Sequence, residues 1–374
     1  MSPLYVPIMA AKQGEYSALS NLQPSVSTNI FPLFELPAKK PNTKSLEKTV
    51  QRTAFNAGKV WATKHAFLDF SKWSPNTQTE SGIHLLEYAF GQFRSNGVQA
   101  HPVIGYDRWD DPDYVRALKN IRHLYAVTPC IRLNREVIRD DMHDQQYFAE
   151  RINEILSVLD VVPNNCYIMI DYGNVLTTAI PNIISSAEAA VELLRSLGFG
   201  IVIMVGGSMP AGINEAVNTP DTEGCIPRIE MMAWKAILAD KNDSGIVFGD
   251  YLIRNPDSVE GIFSQHANAK IRYTIDNQYF IVRGHSKKID SLAVQHRILA
   301  QKLVASPYFM GSGFSWGDSE ILNCSLGSKD IRSAMAMIAI DSNHHINAIV
   351  TEVFEYQQSI MPSTAALLPI ARKE

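Results

Sequence analysis

The sequence lacks the short motifs that identify several common enzyme classes. It has no GxxxxGK[ST] phosphate-binding loop, no HExxH zinc motif and no glycine-rich dinucleotide fingerprint after a strand. These absences exclude a P-loop nucleotide hydrolase and argue against a zincin. They also leave the chain without a nicotinamide, flavin or haem signature.

Cysteine is scarce, and its spacing does not match a metal-binding motif. The chain has four cysteines in 374 residues, far apart and without a CxxC pair. This argues against a zinc ribbon or a redox motif. We interpret the cysteines as mostly buried thiols and expect a reducing cytoplasm.

Long apolar runs and a basic excess are also absent. No run approaches the roughly 20 apolar residues that a membrane helix needs. The opening MSPLYVPIMAAKQG has no basic region before its short apolar run, so we expect no signal peptide. The net charge of −4 gives no overall basic field for nucleic acid. We therefore expect a cytoplasmic protein without a membrane partner or a strong nucleic-acid-binding signature.

Eight short apolar, β-branched or aromatic runs predict parallel strands that are buried on both faces. Segments with helical spacing lie between them, at Ser81–Asn96, Gln145–Leu159 and Ser186–Leu197. This alternation predicts an α/β fold, a (β/α)8 TIM-like barrel over residues 1–260, with an open doubly wound sheet as the alternative. The predicted strands are Leu4–Met9, Ile30–Leu36, Ala66–Phe70, Gln99–Gly105, Tyr125–Leu133, Cys166–Asp171, Gly200–Val205 and Gly245–Gly249.

The pattern changes after residue 251. Lys270–Ile275 and Gln278–Arg283 flank an Asp-Asn pair and predict an antiparallel hairpin. Helices are predicted at Ser291–Ala305 and Ile331–Asp341, with an ordered loop rich in glycine and serine at residues 310–321 between them. We expect residues 261–374 to form a C-terminal α+β extension that packs near the barrel mouth.

Five apolar runs end in an acid, at Glu35, Asp69, Asp107, Asp171 and Asp250. The carboxyl ends of barrel strands meet at one mouth, so the pattern predicts a ring of carboxylates there. We take Glu35, Asp69, Asp171 and Asp250 as candidate catalytic residues, and the first three as candidate ligands of Mg²⁺ or another divalent cation. Acids at strand ends also bridge neighbouring strands, and this structural interpretation stays open.

Four more residues near strand ends are candidates for binding substrate. Lys12 and Arg132 would pair with a phosphate, and Asp107 follows the fourth strand. Ser208 lies in VGGSMP after the seventh strand, where backbone N–H groups of many barrels hold a phosphate. A plain turn is the other interpretation of that segment.

The segment FSWGDSEI offers two further candidates, Trp316 and Asp318. Trp316 would stack on a base or sugar as part of a lid. In the alternative, the loop packs its aromatic ring onto the barrel and Asp318 caps a helix.

Two cationic pairs in the extension are weaker signals. His344 and His345, interpreted as adjacent strand residues, would point to opposite faces, so at most one would face a given site. Arg272 and Arg283 would face each other across the hairpin and form a small anion site, or else lie solvated on the surface.

Several idiosyncratic segments carry a family resemblance. The opening YVPIMAAKQGEYSALSNL, the strand IFPLFELP and the later pieces GDY, RYT, SWGDSEI and NHHI resemble the beta family, the phage beta-protein-like proteins of bacteria and phages. The resemblance spans nearly the whole chain and implies that Lys12, Glu35, Asp250, Trp316 and Asp318 are family-typical. It implies an accessory role in phage or defence biology and supplies no reaction.

Three functional hypotheses follow. The first is a hydrolase of a phosphodiester or a nucleotide at the barrel mouth, with a divalent cation because carboxylates alone repel phosphate. The second is a non-catalytic sensor that recognises a ligand or a protein encoded nearby. In the third, the acids form an internal salt-bridge network and the C-terminal hairpin and loop are the working surface.

Overall fold

Eight parallel strands close into a barrel in the computed structural model, which describes residues 2–38, 45–241, 245–258 and 268–360. Each strand pairs with the next barrel strand along the chain, and the last pairs with the first. The predicted (β/α)8 barrel is therefore confirmed. The barrel strands are β1 (Tyr5–Met9), β2 (Leu33–Glu35), β3 (His65–Asp69), β4 (Gln99–Gly105), β5 (Cys130–Leu133), β6 (Tyr167–Asn174), β7 (Val202–Gly207) and β9 (Ile246–Asp250).

Helices follow the strands and cover the outside of the barrel. A glycine with positive φ follows two of them: Gly97 (φ +86°) comes after α4 (Leu85–Ser95), and Gly198 (φ +91°) comes after α8 (Ile180–Ser196). The helices are α1 (Gln13–Ser20), α2 (Pro24–Ser27), α3 (Leu46–Trp61), α4 (Leu85–Ser95), α5 (Pro112–Leu124), α6 (Arg135–Arg139), α7 (Gln145–Val158), α8 (Ile180–Ser196), α9 (Ile213–Ala216), α10 (Ile229–Lys241), α11 (Leu292–Ala305), α12 (Trp316–Ser325) and α13 (Ala334–Ile360).

Side chains on each barrel strand alternate between two apolar cores. Val247 of β9 and Tyr251, directly after β9, pack inside the barrel with Ile203, whereas Phe248 of β9 points outward against Trp234. This alternation decides which strand-end residues enter the mouth and which face the surrounding helices.

A second, three-stranded antiparallel sheet lies beside the barrel in the order β10 (Asn268–Ile275), β11 (Gln278–Ser286) and β8 (Glu223–Pro227). The predicted hairpin is confirmed as β10 and β11, with Asn277 at φ +54° in its turn. Because β8 lies between β7 and α10, this sheet draws on both sides of the predicted boundary at residue 260, which itself lies outside the described residues.

The long helix α13 contacts both the barrel and the second sheet. Its Ile346 and Ile349 pack in the core between the barrel strands and the outer helices. Its Met337 and Ile340 pack in the core of the second sheet, which we call the second core, with α11 and α12. Within the described residues, no helix has both the length and the apolar character to cross a membrane.

The structure corrects the prediction of a loop at residues 310–321. Trp316–Ser325 forms α12, and the Ser315 side chain caps it by accepting a hydrogen bond from the Asp318 N–H at 3.1 Å. A serine followed three residues later by an acid is a common helix start, so the sequence did carry this signal.

Two interpretations of the extension are wrong. His344 and His345 lie inside α13, because the helix predicted to end at residue 341 continues to Ile360. Arg272 pairs with Ile281 across the hairpin and Arg283 pairs with Lys270, so the two arginines do not face each other.

A strand-interior glycine tests the packing of the barrel. A Cβ on Gly249 would lie 2.7 Å from Val205 Cγ2 and 2.9 Å from the backbone oxygen of Val6. We expect Gly249→Ala to lower the free energy of unfolding by about 1–3 kcal/mol, measured by urea denaturation. Gly313→Ala is the matched control, because no atom lies within 4 Å of its added methyl group. Equal effects of the two changes would contradict the close approach.

Candidate functional site

Three of the predicted acids converge on one arginine in the barrel mouth. Glu35 and Asp69 are the last residues of β2 and β3, Asp171 lies within β6, and Arg132 lies on β5, all at inward-facing positions. The Arg132 guanidinium donates to Glu35 at 3.2 Å and to Asp171 at 2.6 and 2.9 Å, and it also bonds Asp69. All four side chains are buried.

Further cations surround this arrangement. Arg254 Nη2 lies 2.8 Å and Lys72 Nζ 3.4 Å from Glu35 Oε2, and both side chains are partly exposed, at 19% and 25%. Arg108 Nη2 donates to Asp69 Oδ1 at 2.8 Å. Together with Tyr251, these residues form a set of eight that we call the mouth cluster: Glu35, Asp69, Lys72, Arg108, Arg132, Asp171, Tyr251 and Arg254.

Tyr251 connects two members of the mouth cluster. Its hydroxyl donates to Asp171 Oδ2 at 2.7 Å and accepts from Arg132 Nη2 at 2.8 Å. Burial and the Asp171 charge hold the pKa of this phenol well above its ordinary value. The Tyr251 hydroxyl is therefore a neutral donor at physiological pH.

The cations decide the protonation of the acids. Burial alone would raise the pKa of Glu35, but the charges of Arg254, Arg132 and Lys72 outweigh it and lower that pKa to about 2. For Asp69, Arg108 and Arg132 likewise outweigh burial and lower the pKa. These two carboxylates are therefore ionised and hold no proton to donate.

Glu15 is an acid at the mouth whose pKa is raised, in contrast to those of Glu35 and Asp69. It lies in the first turn of α1, is buried, and has one carboxylate oxygen without a hydrogen-bond partner in the described chain. Burial raises its pKa, with partial compensation from Arg254, whose Nε lies 4.0 Å from Glu15 Oε1. Glu15 is thus the mouth residue best suited to carry a proton.

The predicted metal ligands all contact a guanidinium. Glu35, Asp69 and Asp171 each bond Arg132, which lies where their side chains meet. In the part of the chain that the structure describes, no group of three or more His, Cys, Asp or Glu side chains is arranged to hold a metal ion. The Mg²⁺ site stays a prediction, and a cation bound by these three acids would have to compete with Arg132.

Asp250 lies outside the predicted ring. Its carboxylate points outward from β9 and accepts from Tyr5 at 2.5 Å, while its other oxygen lies 2.9 Å from His345 Nε2. His345 Nδ1 in turn lies 2.7 Å from the Thr274 hydroxyl. This fully buried Asp-His-Thr chain links the barrel to α13 and the second sheet.

The remaining candidates near strand ends contribute no described hydrogen bond or ion pair to Arg132. Asp107 follows β4 on a short 3-10 helix, is half exposed, and lies 3.8 Å from Arg108 Nε. Ser208 is fully buried and donates to the Pro227 oxygen at 3.0 Å. Lys12 is an exposed residue directly before α1. The five predicted acids therefore divide into three in the mouth and two elsewhere.

Trp316 and Asp318 belong to the second core. Trp316 is half-buried in the first turn of α12 and packs against that core. Asp318 is fully buried and accepts from the Tyr273 hydroxyl at 2.5 Å, and one of its oxygens lies 2.9 Å from His344 Nδ1. The structure therefore places neither side chain in the mouth cluster.

The segment that contains Trp316 also reads G-x-S-x-G, at residues 313–317. In a nucleophile elbow this serine lies on a strand-to-helix turn within reach of an imidazole. Here Ser315 is the N-cap of α12 and donates to Asp318, while His344 Nε2 lies 2.8 Å from the Thr274 carbonyl oxygen. The two ring nitrogens of His344 thus face other groups, and the motif serves as a helix cap.

A second buried acid lies behind β7. Neither carboxylate oxygen of Glu230 has a hydrogen-bond partner among the described residues, and the side chain is buried. Burial raises the pKa of Glu230 to about 7, against the lowering effects of the nearby Ser208 hydroxyl and the Arg228 charge. Burial therefore favours the protonated form of Glu230.

Four members of the mouth cluster are absent from the candidates named from the sequence: Lys72, Arg108, Tyr251 and Arg254. Each follows a strand-end acid within four residues, Lys72 after Asp69, Arg108 after Asp107 and the other two after Asp250. Polar residues in the first loop positions after a barrel strand were the signal that could have identified them.

The fold and the cluster define a (β/α)8-barrel protein whose mouth is filled by paired charges. The chain belongs to the Beta protein family, whose model matches residues 5–351. No curated protein matches the chain.

Two solved structures resemble the barrel remotely. A Yersinia pestis DHPS with a pterine-sulfa conjugate is 11% identical, with a TM-score of 0.38 over 68% of this chain and 88% of its own. A beta-mannanase from Streptomyces thermolilacinus with mannohexaose is 12% identical, with a TM-score of 0.38 over 67% of this chain and 78% of its own. Similarity this distant carries no functional inference.

Removing the central cation tests the energetics of the mouth cluster. Arg132→Met leaves three carboxylates buried without it, so we expect a loss of about 3–5 kcal/mol in the free energy of unfolding. The folded pKa of Glu35 lies below its ordinary value of 4.5, so its stabilisation is present above that pH and is lost as the pH falls toward 2. The difference in the free energy of unfolding between the parent and Arg132→Met should therefore become smaller at low pH.

Arg116→Met is the control for this change. Arg116 pairs with Asp113 at 2.7 Å on the surface of α5, with 60% of its side chain exposed, and its loss should cost less than about 1 kcal/mol. Urea denaturation from pH 3 to 7 measures both variants. A deficit of Arg132→Met that is small or constant with pH would contradict the proposed charge pairing.

Glu230 gives a pH dependence of the opposite sign. Its folded pKa of about 7 exceeds the ordinary 4.5, so its contribution is fully present below pH 4.5 and is lost as the pH rises through 7. Glu230→Gln should remove this loss, and stabilise the variant relative to the parent above pH 7 by up to roughly 3 kcal/mol, at about 1.4 kcal/mol per pKa unit. Thermal and urea denaturation between pH 5 and 8 measure it, with the exposed Glu355→Gln as control. If the stability of Glu230→Gln and of the parent changed equally with pH, the raised pKa of Glu230 would be refuted.

Proposed function

We propose that the protein is an enzyme that hydrolyses a phosphate-bearing ligand, a phosphodiester or a nucleotide, at the barrel mouth. The observation that carries the proposal is the convergence of Arg132, Arg254 and Lys72 on Glu35. It places three cations, two of them partly exposed, at the end of the barrel where enzymes of this fold hold their substrates.

The exposed edge of the mouth cluster is cationic. The cations of the cluster are Lys72, Arg108, Arg132 and Arg254, and its carboxylates are Glu35, Asp69 and Asp171. Asp107, 3.8 Å from Arg108 Nε, brings the charges close to balance. The partly exposed Arg254 and Lys72, and not a net charge, are therefore the features that favour an anion.

Unpaired donors add to this argument. Within the described chain, Nε and Nη1 of Arg108 and Nε of Arg254 are buried without a hydrogen-bond acceptor. Buried donors of this kind are costly unless a ligand or water satisfies them. A phosphate offers several acceptor oxygens, and guanidinium groups match it well.

In the proposed reaction, water attacks phosphorus and the bond from phosphorus to the leaving oxygen breaks. Arg254 and Lys72 would bind the added negative charge, because Glu35 already fixes their positions, and Arg132, whose N–H groups are bonded to the three acids and Tyr251, would contribute through its charge alone. Asp171 would accept the proton of the attacking water, and Glu15 would supply a proton to the leaving oxygen. Glu35 and Asp69, which are held ionised, would serve to position the arginines.

The biological setting is also proposed. Family membership supports a role in phage or antiviral defence, with a protein encoded nearby as a partner. Four free cysteines, three of them buried, support a reducing cytoplasm.

The alternative is a non-catalytic sensor that binds the same kind of anion. One observation favours it: Asp250, which directly precedes Tyr251 of the mouth cluster, bonds His345 of α13. Occupancy of the mouth could then be communicated to the second sheet. Binding without turnover separates this alternative from the enzyme.

Phosphate binding is the first test. Inorganic phosphate and pyrophosphate should each raise the melting temperature, because a ligand at one hundred times its Kd stabilises the native state by about 2.7 kcal/mol. Arg254→Gln should weaken binding about tenfold or more, since a hydrogen bond to a charged group contributes about 1.5–3 kcal/mol. Lys119→Gln, an exposed lysine on α5, is the control.

Turnover and metal dependence follow in the same preparations. Bis(p-nitrophenyl) phosphate and nucleotides are assayed after chelation, with Mg²⁺, Mn²⁺, Ca²⁺ or Zn²⁺ then added singly. Metal-dependent stabilisation that Asp171→Asn abolishes would support the predicted divalent cation. Phosphate binding without product would favour the sensor, and no response to either anion would refute an anion site at the mouth.

A further inference from the structure

A cavity lies outside the barrel wall, next to β6. It has a volume of about 520 Å³ and opens between α6 and α8, within the range of roughly 300–1,000 Å³ that is typical of small-molecule pockets. Tyr172 lines it and directly follows Asp171 of the mouth cluster on β6. Because consecutive strand residues point to opposite faces, the β6 backbone separates the two sites.

The interior of this cavity is apolar. Ile138, Met142, Ile183 and Ala190 are buried side chains in its lining. Polar side chains also line the cavity, among them Asn182 and Ser186, and the Tyr172 hydroxyl donates to Ser186 Oγ at 3.3 Å. An apolar ring or chain with limited hydrogen bonding would fill this space.

The charged side chains of the lining, Arg135 and Arg139, are both cationic. His143 lies beside them, and the lining contains no Asp or Glu. Arg139 is paired with Asp140 at 2.6 and 2.8 Å. Arg135 is exposed and makes no ion pair within the described residues, so its guanidinium is available to an acidic group of a ligand.

We propose that this cavity is a second ligand site, which takes an organic anion with an apolar ring or chain and one acidic group. The apolar body packs against Met142 and Ile183, and the acidic group contacts Arg135. The site is separate from the phosphate site of the mouth and does not depend on catalysis there.

Two fluorescent probes test the proposal on the full chain. The aromatic sulfonate 1-anilinonaphthalene-8-sulfonate carries the acidic group, and N-phenyl-1-naphthylamine has the same rings without it. We expect one sulfonate to bind per chain. Ala189→Trp, which places an indole in the cavity, should weaken both probes by at least about tenfold, because overpacking removes the space they occupy.

Arg135→Gln should weaken the sulfonate by roughly two- to fivefold, as for an exposed ion pair, and leave the neutral probe unchanged. Ser196→Trp adds an indole to the same helix outside the cavity lining, and Arg52→Gln removes an exposed arginine on α3; both should bind like the parent. Arg254→Gln should also bind like the parent, which separates this site from the mouth.

Circular dichroism checks the fold of each variant, and Ser186→Leu replaces Ala189→Trp if that variant unfolds. Retained sulfonate binding in a folded cavity-filling variant would overturn the site. Equal losses of both probes in Arg135→Gln, or no loss of either, would overturn its preference for an anion.

Discussion

The guanidinium of Arg132 is the group on which the barrel mouth depends. Three carboxylates from three different strands end on this one cation, and each is too deeply buried to be hydrated in its place. Isolated charges at that depth would cost several kcal/mol each. Because the pairing fixes Arg132, it also fixes the inward ends of β2, β3 and β6, and with them the positions of the outer cations Arg254 and Lys72.

The sequence predicted the barrel well and the contents of its mouth only in part. The strand Gln99–Gly105 and the starts of α7 and the second hairpin strand agree with the structure, because apolar runs bounded by helical segments are a strong signal. The inward or outward direction of a strand-end acid is a different matter. Parallel strands are apolar on both faces, so their residues show no polar alternation that would reveal which parity enters the barrel.

Asp250 shows the consequence of that missing signal. Its run, IVFGDY, looks like the others, yet its inward positions are 247, 249 and 251, so the carboxylate faces Tyr5 and His345. The inward group is Tyr251 instead, which joins the mouth cluster through Asp171. His345 was equally hidden, because its partner Asp250 is 95 residues away and no local pattern relates the two. Contacts between residues so far apart in the sequence depend on how α13 crosses the barrel. Local sequence periodicity carries no information about that crossing.

The pairing of the carboxylates with Arg132 makes the mouth a poor site for a free cation, and it leaves Arg254 and Lys72 partly exposed to an anion. A metal would have to displace Arg132 from three short contacts, whereas an anion can bind the outer faces of Arg254 and Lys72 while Glu35 keeps its partners. Under the proposed function, Glu35 and Asp69 would act on the ligand indirectly. They hold the guanidinium groups in place before binding, so little reorganisation is needed when negative charge arrives. On this argument these two acids are positioning residues, Asp171 is the acid assigned to proton transfer, and Arg254 and Lys72 are the cations proposed to contact the ligand.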